Sequence, residues 1–363
     1  MNQSEPLLVK SGQGDYSVIF FTLIDYFVNS TKFDIEETYF IIDSSLDEIY
    51  PDLSKFLLNF KVFRCLANEE EKTLDGVARF VDWLLFNGAS RSGKIVAIGG
   101  GIIQDIATFT SHIYYRGIKW EYVPTTLLSQ SDSCIGAKCG INVLPHKNQI
   151  GVINSPKKVY IVEEFLASLS KFDLESGFGE ILKLSLTGPN QFYNEFKNHL
   201  KKDGLNPLKV MPLLRSSLNA KKAIIEEDEY ELGLRRILNY GHSFGHAIEA
   251  LTHNGIPHGY GVLFGIDLIN FLGAKWGITP PYLHLEIQDL ISYHFPNFKI
   301  DMKFSPQDLV RQLSKDKKMA LGKMNFALLH GIGDIRIVEK SLDEQLLLDV
   351  KEYFSGKRAF AFS

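Results

Sequence analysis

The sequence predicts an α/β N-terminal domain, a parallel sheet covered by helices, followed by a mainly α-helical domain. At 363 residues the chain is too long for one ordinary core and fits two domains of common size. Its first half alternates short β-rich runs with amphipathic stretches, the order expected of strands and crossover helices. Its second half keeps a helical period with few strand-like runs.

Taken in order, MNQSEPLLVK lacks the basic and apolar tandem of a signal peptide. The apolar run from Val18 to Val28 contains Asp25 and is too short to span a bilayer. Strands are expected at Tyr39 to Ile42, Lys61 to Cys65, Lys94 to Ile98, Lys119 to Val123 and Val159 to Val162. A boundary falls between Val162 and Leu169, giving domains at 1–165 and 166–363. Helical periodicity then runs through Leu174 to Leu186, Met211 to Glu227, Arg236 to Leu251 and Gly261 to Trp276, before a strand at Met324 to Leu329. The Pro and Gly cluster from Asn254 to Gly261 separates two of these helices and leaves His258 at a helix start or in the loop before it. No internal repeat or low-complexity segment appears.

With 45% hydrophobic and 23% charged residues the chain can bury a sizeable interior. Lys plus Arg at 39 against Asp plus Glu at 43 gives a formal charge of −4, so no long-range field draws nucleic acid or anionic lipid. Any anion site must be local. Cys65, Cys134 and Cys139 are odd in number and lack C-x-x-C spacing, which fits a reducing cytoplasm and neither a disulfide framework nor a thiolate zinc site.

In "KIVAIGGGIIQDIATF" a β-branched strand runs into Gly99, Gly100 and Gly101 and then into a helical pattern. Glycine permits close backbone approach, and the helix start offers unpaired N–H groups that attract phosphate. Without the full G-x-G-x-x-G fingerprint, this is either a nucleotide turn or an ordinary tight connection. "VPTTLLSQSDSCIGAKCGIN" places Thr125 and Thr126 after a strand, then Asp132, Lys138 and Asn142 in a polar, glycine-punctuated loop. Lys147 and Asn148 follow, a cation and an amide that either share a phosphate or belong to a solvated loop.

"SGFGEILKLSL" sets Glu180 and Lys183 one turn apart on an otherwise apolar helix, as a surface ion pair or as two groups facing one cleft. "NAKKAIIEEDEYELGLRRILNYGH" supplies Lys221, Glu231, Arg235 and Asn239. Arg235, Asn239, His242 and His246 recur at three or four residues, and Glu249 continues this stripe along a wet face or a wet cleft. "LNYGHSFGHAIEALTHNGIPHGYG" holds His242, His246, His253 and His258. Glu180, His242 and His258 could close a catalytic metal site with a fourth position open, a mixed N and O set suited to Zn²⁺. His246 would then be free for proton transfer or phosphate binding. The other reading is a set of satisfied helix-end histidines. Ser243 stands where the H-E-x-x-H zincin pattern needs Glu, so a zinc protease is not indicated. His253 reads as a plain loop residue.

Together these stretches resemble 3-dehydroquinate synthase and the sugar-phosphate cyclase family built on it. The likeness is carried in order by "GGGIIQD", "YYRG", "VPTTLLSQSDSCIGAKCGIN", "KNQIG", "GEILK" and "GLRRILNYGHSFGHAIE", from about Ile95 to Glu249. It extends more thinly to "SKDKKMALGKMNFALL" and only weakly before Asp43. The resemblance implies a divalent metal, Zn²⁺ or Co²⁺, on Glu180, His242 and His258. It implies NAD over Gly100, Gly101 and Asp105 with Thr125, Thr126 and Lys147, and fainter nucleotide contacts at Asp43, Glu69 and Lys72. Substrate groups would meet Arg116, Asp132, Lys138, Asn148, Lys183, Lys221, Arg235, Asn239, His246 and Lys317. Glu231 and His246 match positions assigned to proton transfer, and Lys183 joins the catalytic set. The position of Arg116 implies a homodimer, since the equivalent arginine reaches a neighbouring subunit's site.

The implied reaction is an NAD- and metal-dependent, redox-neutral conversion of a heptulosonate 7-phosphate to a carbocycle with loss of phosphate. A substrate with a carboxylate and a phosphate requires local Lys and Arg in a chain of negative net charge. Several positions depart from the usual pattern: Tyr260 stands where Glu generally follows His-Gly, Gln104 and Ala137 replace common glycines, and "LASLSKF" lacks the usual proline and arginine. Tyr260 bears on the orientation of His258 and on substrate identity. Retention of Lys221, Asn239 and Lys317 favours an acidic substrate. Rival readings are a cyclase of sedoheptulose 7-phosphate or a related sugar phosphate, a metal-dependent polyol dehydrogenase, and a non-catalytic sugar-phosphate-binding regulator.

Overall fold

The computed structural model describes residues 5–143, 146–253, 255–296, 299–300, 304–313, 322–356 and 358–362. Lys317, one of the expected substrate contacts, lies outside them. The chain divides into two compact units, Met1–Ser170 with Pro207–Met211, and Lys171–Asn206 with Pro212–Ser363.

The first unit contains β1 (Leu7–Val9), β2 (Tyr16–Phe21), α1 (Ile24–Ser30), β3 (Thr38–Asp43), α2 (Leu46–Ile49), α3 (Pro51–Leu57), β4 (Lys61–Cys65), α4 (Leu74–Phe86), β5 (Lys94–Gly99), α5 (Gly101–Ile113), β6 (Lys119–Pro124), β7 (Ile141–Val143), β8 (His146–Ile150) and β9 (Lys158–Val162). Seven strands form one sheet in the order β1-β2-β9-β6-β5-β3-β4, parallel except for the β1–β2 pair. The apolar run from Val18 to Val28 is shared between β2 and α1. Central strands bury both faces, which is why they read as continuous apolar runs. Phe40, Ile42, Val96, Ile98 and Val123 join Phe27 and Leu53 in one core cluster. Chain order reverses at β3, which has β4 on one side and β5 on the other, with Ile42 opposite Ile98. The carboxyl ends of β3 and β5 therefore emerge side by side at a topological switch point, where open α/β sheets bind ligands.

The second unit contains α6 (Lys171–Thr187), α7 (Asn190–Asp203), α8 (Met211–Glu227), α9 (His242–Leu251), α10 (His258–Lys275), α11 (Pro281–His294), β10 (Lys299–Ile300), α12 (Pro306–Leu313), β11 (Lys323–Gly331), β12 (Asp334–Ser341), α13 (Glu344–Ser355) and β13 (Ala361–Phe362). Helix α10 is apolar around most of its circumference and is buried accordingly. The single helix expected from Arg236 to Leu251 is instead a 3₁₀ turn, Leu234–Asn239, followed by α9. Gly241 separates them with φ 78°, a left-handed conformation that ends the first segment. Arg235 and Asn239 are thus not on the helical face that carries His242 and His246. No described helix is long and apolar enough to cross a membrane.

Candidate active site

In the first unit, β5 delivers the chain to Gly100, the N-cap of α5, which has no side-chain cap. The first amides of α5 are left for an external acceptor. A Cβ at Gly100 would come within 3.0 Å of Thr126 Cγ2, whereas one at Gly101 would meet nothing within 4 Å. The turn is closed by its neighbour loop on one side and open on the other, a cradle that fits a pyrophosphate.

Beside α5, Lys72 Nζ lies 3.1 Å from Asp105 Oδ2, 2.8 Å from Asn148 Oδ1 and 3.5 Å from Glu69 Oε1. Lys147 Nζ is 3.7 Å from the same Glu69 oxygen, to which Asn142 Nδ2 donates at 2.8 Å. Asn142 Oδ1 accepts the Asn148 N–H at 2.9 Å, fastening the β7–β8 hairpin to this cluster. Burial pushes the Asp105 carboxyl up to about 6, against the lowering influence of Lys72. Glu69, Lys72, Asp105, Lys147 and Asn148 are therefore one network. Asp43, at the end of β3, accepts from Ser45 N and Oγ at 3.0 and 2.8 Å. Thr125 N–H donates to Gly99 O at 3.0 Å, and the Thr126 and Ser129 hydroxyls lie 2.8 Å apart.

The loop expected around Asp132 is a π-helical turn, Ser129–Ser133. Gln104 belongs to it structurally: its amide donates to Ser133 O and accepts from Ser133 Oγ, each at 2.7 Å. A glycine there could not make these bonds. Ala137 has φ 59°, and Lys138 bridges to Ile153. Arg116 is exposed just beyond α5, with φ 62° following Tyr115 at φ 51°.

In the second unit, α6, α9 and α10 bring Glu180, His242, His246 and His258 together. Glu180 Oε1 is 3.5 Å from His242 Nε2 and 3.1 Å from His258 Nε2, and Lys183 Nζ is 2.6 Å from Glu180 Oε2. One ring nitrogen from each of His242, His246 and His258 lies within 4.8 Å of the others. Glu180 is fully buried; Lys183 neutralises it at Oε2, and its Oε1 faces His242 and His258 without a hydrogen bond of good geometry. A buried carboxylate oxygen facing imidazole nitrogens fits a divalent cation.

The far sides of two rings are also held. His258 Nδ1 lies 2.9 Å from Glu249 Oε1, and His242 Nδ1 lies 3.2 Å from the Tyr240 carbonyl oxygen. Such partners hold each Nδ1 and turn Nε2 toward Glu180. Burial resists ionisation of Glu180, but Lys183, His242 and His258 outweigh it and hold the carboxyl well below its ordinary range. Burial likewise disfavours the His258 cation, but Glu180 and Glu249 prevail and push that imidazole up to about 10.

Helices α9 and α10 meet backbone to backbone here. A Cβ on Gly245 would lie 2.8 Å from Gly261 O, and one on Gly265 only 1.8 Å from Gly241 O. Beyond α8, which carries the buried Lys221, Asp228 accepts the N–H groups of Leu232, Gly233 and Arg235 at 2.9, 2.8 and 2.9 Å. The loop so folded presents Glu231 at φ 61°, its Oε1 accepting from Asn239 Nδ2 at 2.6 Å. Arg235 is buried and donates to Glu229 O. The roles of Glu249 and Asp228 are absent from the sequence reading. For Glu249 a signal exists, because His242, His246 and Glu249 stand at i, i+4 and i+7 on one helix face.

Two family models match the chain, described as 3-dehydroquinate synthase N-terminal over residues 62–176 and 3-dehydroquinate synthase C-terminal over residues 177–319. A 3-dehydroquinate synthase of Alkaliphilus metalliredigens is 34% identical over 303 residues, covering 82% of this chain and 85% of that protein. One of Dictyoglomus turgidum is 35% identical over 321 residues, covering 87% and 88%. Among solved structures, a 2-deoxy-scyllo-inosose synthase complexed with carbaglucose-6-phosphate, NAD⁺ and Co²⁺ superposes with TM-score 0.87 at 24% identity, over 96% of this chain and 99% of that one. A glycerol dehydrogenase of Schizosaccharomyces pombe superposes at 0.62 with 14% identity, over 99% and 95%. At these identities the structural likenesses speak to the fold.

Proposed function

The chain belongs to the 3-dehydroquinate synthase family, and from that premise we propose that it is an NAD- and divalent-metal-dependent phosphate-eliminating cyclase acting on a heptulosonate 7-phosphate. The observation that carries this reading is the approach of Glu180 to both His242 and His258, with Glu249 and the Tyr240 carbonyl behind the rings. Neighbours with NAD⁺ and Co²⁺ or Zn²⁺ in their crystals share the fold.

When bound, NAD⁺ would take up and return one hydride while the cation polarises the reacting alcohol, so the overall reaction is redox neutral. The chain's own residues supply the rest. Glu180, His242 and His258 hold the cation. Gly100, Gly101, Asp105, Thr125, Thr126 and Lys147 hold the dinucleotide, with Asp43, Glu69 and Lys72 as outer contacts. Lys183, Lys221 and Arg235, with Asn239, meet anionic and hydroxyl groups of the substrate, and Arg116, Asp132, Lys138 and Asn148 complete that set. Elimination of phosphate requires removal of a proton beside a carbonyl, a task for His246 or for Glu231, which Asn239 orients. Intramolecular ring closure then benefits from holding few conformers of the opened product. Three unpaired cysteines accord with a cytoplasmic setting, and Arg116 with a homodimer.

The test is to incubate metal-loaded protein and catalytic NAD⁺ with 3-deoxy-D-arabino-heptulosonate 7-phosphate or sedoheptulose 7-phosphate, following phosphate and the NADH band. Phosphate release from the first without lasting NADH is expected. Turnover of sedoheptulose 7-phosphate alone would move the protein to the other cyclase class. NADH accumulating in proportion to substrate would make it a dehydrogenase, and binding without turnover a regulator.

A further inference from the structure

Helix α6 and the start of α10, which carry Glu180 and His258, are joined by a second buried pair. Tyr260 is 0% exposed and Glu175 1% exposed, and the Tyr260 hydroxyl donates to Glu175 Oε2. Glu175 Oε1 receives no hydrogen bond, and Lys171 Nζ approaches it only at 3.7 Å from an exposed side chain. Between this pair and the cation cluster the two backbones touch. Gly259 N–H donates to Ser176 Oγ at 2.9 Å, and a Cβ on Gly259 would fall 1.8 Å from Ser176 O.

Glu175 precedes Glu180 by five residues, about 7.5 Å of helical rise, and Tyr260 follows His258 by two. The separation between the Glu180 oxygen and His258 Nε2 is thus set by how α6 seats against α10. A carboxylate at position 260 would set like charge against the buried Glu175. A phenol supplies a neutral donor instead.

We propose that the Tyr260–Glu175 hydrogen bond is a positioning clasp that sets the affinity and coordination geometry of the cation at Glu180, His242 and His258. This inference rests on reading that cluster as a cation site.

The test measures Zn²⁺ affinity of the full chain by competition with a chromophoric chelator, the visible spectrum of the Co²⁺-loaded protein, and melting of the metal-free protein. Tyr260→Phe should weaken Zn²⁺ binding by about 10-fold or more and alter the Co²⁺ bands, while the metal-free protein still melts cooperatively. Tyr260→Glu should lose more. Adding Glu175→Gln to Tyr260→Glu rebuilds the pair with donor and acceptor exchanged and should recover most of the loss. Wild-type affinity and spectrum in Tyr260→Phe would overturn the proposal, as would a double variant no better than Tyr260→Glu. Should His242→Ala bind Zn²⁺ as tightly as wild type, the cation-site reading itself fails, and the clasp with it, by a separate measurement.

Discussion

Replacing Asp105 with asparagine should stabilise the protein at neutral pH while weakening its hold on NAD⁺. Burial raises the Asp105 carboxyl from 3.8 to about 6, even with Lys72 3.1 Å away. A folded pKa above the unfolded one means the native state binds the proton more tightly, so ionisation costs stability in full above about pH 6. That cost fades as pH falls and is gone below 3.8. The gap between these values is worth about 3 kcal/mol. Asparagine mimics the neutral carboxyl at every pH. Asp105→Asn should therefore gain about 3 kcal/mol at pH 8 and about half of that at pH 5. Urea unfolding of both proteins from pH 5 to 8 measures the difference, and fluorescence titration measures NAD⁺ affinity. A variant no more stable than wild type at pH 8, or a gain that stays constant down to pH 5, would refute the reasoning.

Other outcomes follow from single contacts. Glu249→Gln removes the carboxylate behind His258 and should weaken Zn²⁺ binding by about 10- to 100-fold in chelator competition. Asp228→Ala releases three backbone N–H groups that fold the Glu231 loop; kcat should fall about 100-fold in the phosphate-release assay, with Zn²⁺ affinity retained. Ala137→Gly relieves a left-handed φ of 59° and should stabilise the protein by about 1 kcal/mol in urea titration.

Legibility in the sequence tracked how local the determining physics is. Strands β3, β5, β6 and β9 announce themselves because burial on both faces demands mostly apolar runs, while the edge strand β4, only partly buried, is marked by Val62 and Phe63. The three-residue edge strand β1 and the exposed β12 carry no such pattern, and the apolar run of β2 is masked by its continuation into α1. The break at Gly241 escaped a periodicity argument because one residue's φ, not its hydropathy, ends the 3₁₀ turn. Residue chemistry marked Glu180, His242 and His258 as a possible common site, and α6, α9 and α10 bring them together. By contrast, Lys72 and Asn148 read as separate faint signals although 76 residues apart they share a hydrogen bond. Gln104 looked like a loss of glycine and is a strut between α5 and the Ser129–Ser133 turn.

The glycine seam between α9 and α10 makes the histidine spacing a property of the main chain, since Gly245 and Gly265 leave no side chain between the helices to be exchanged. Pocket residues elsewhere in the unit can drift toward a new sugar without disturbing it. A side chain added at either glycine would have to prise the two helices apart and carry His242 and His246 away from His258.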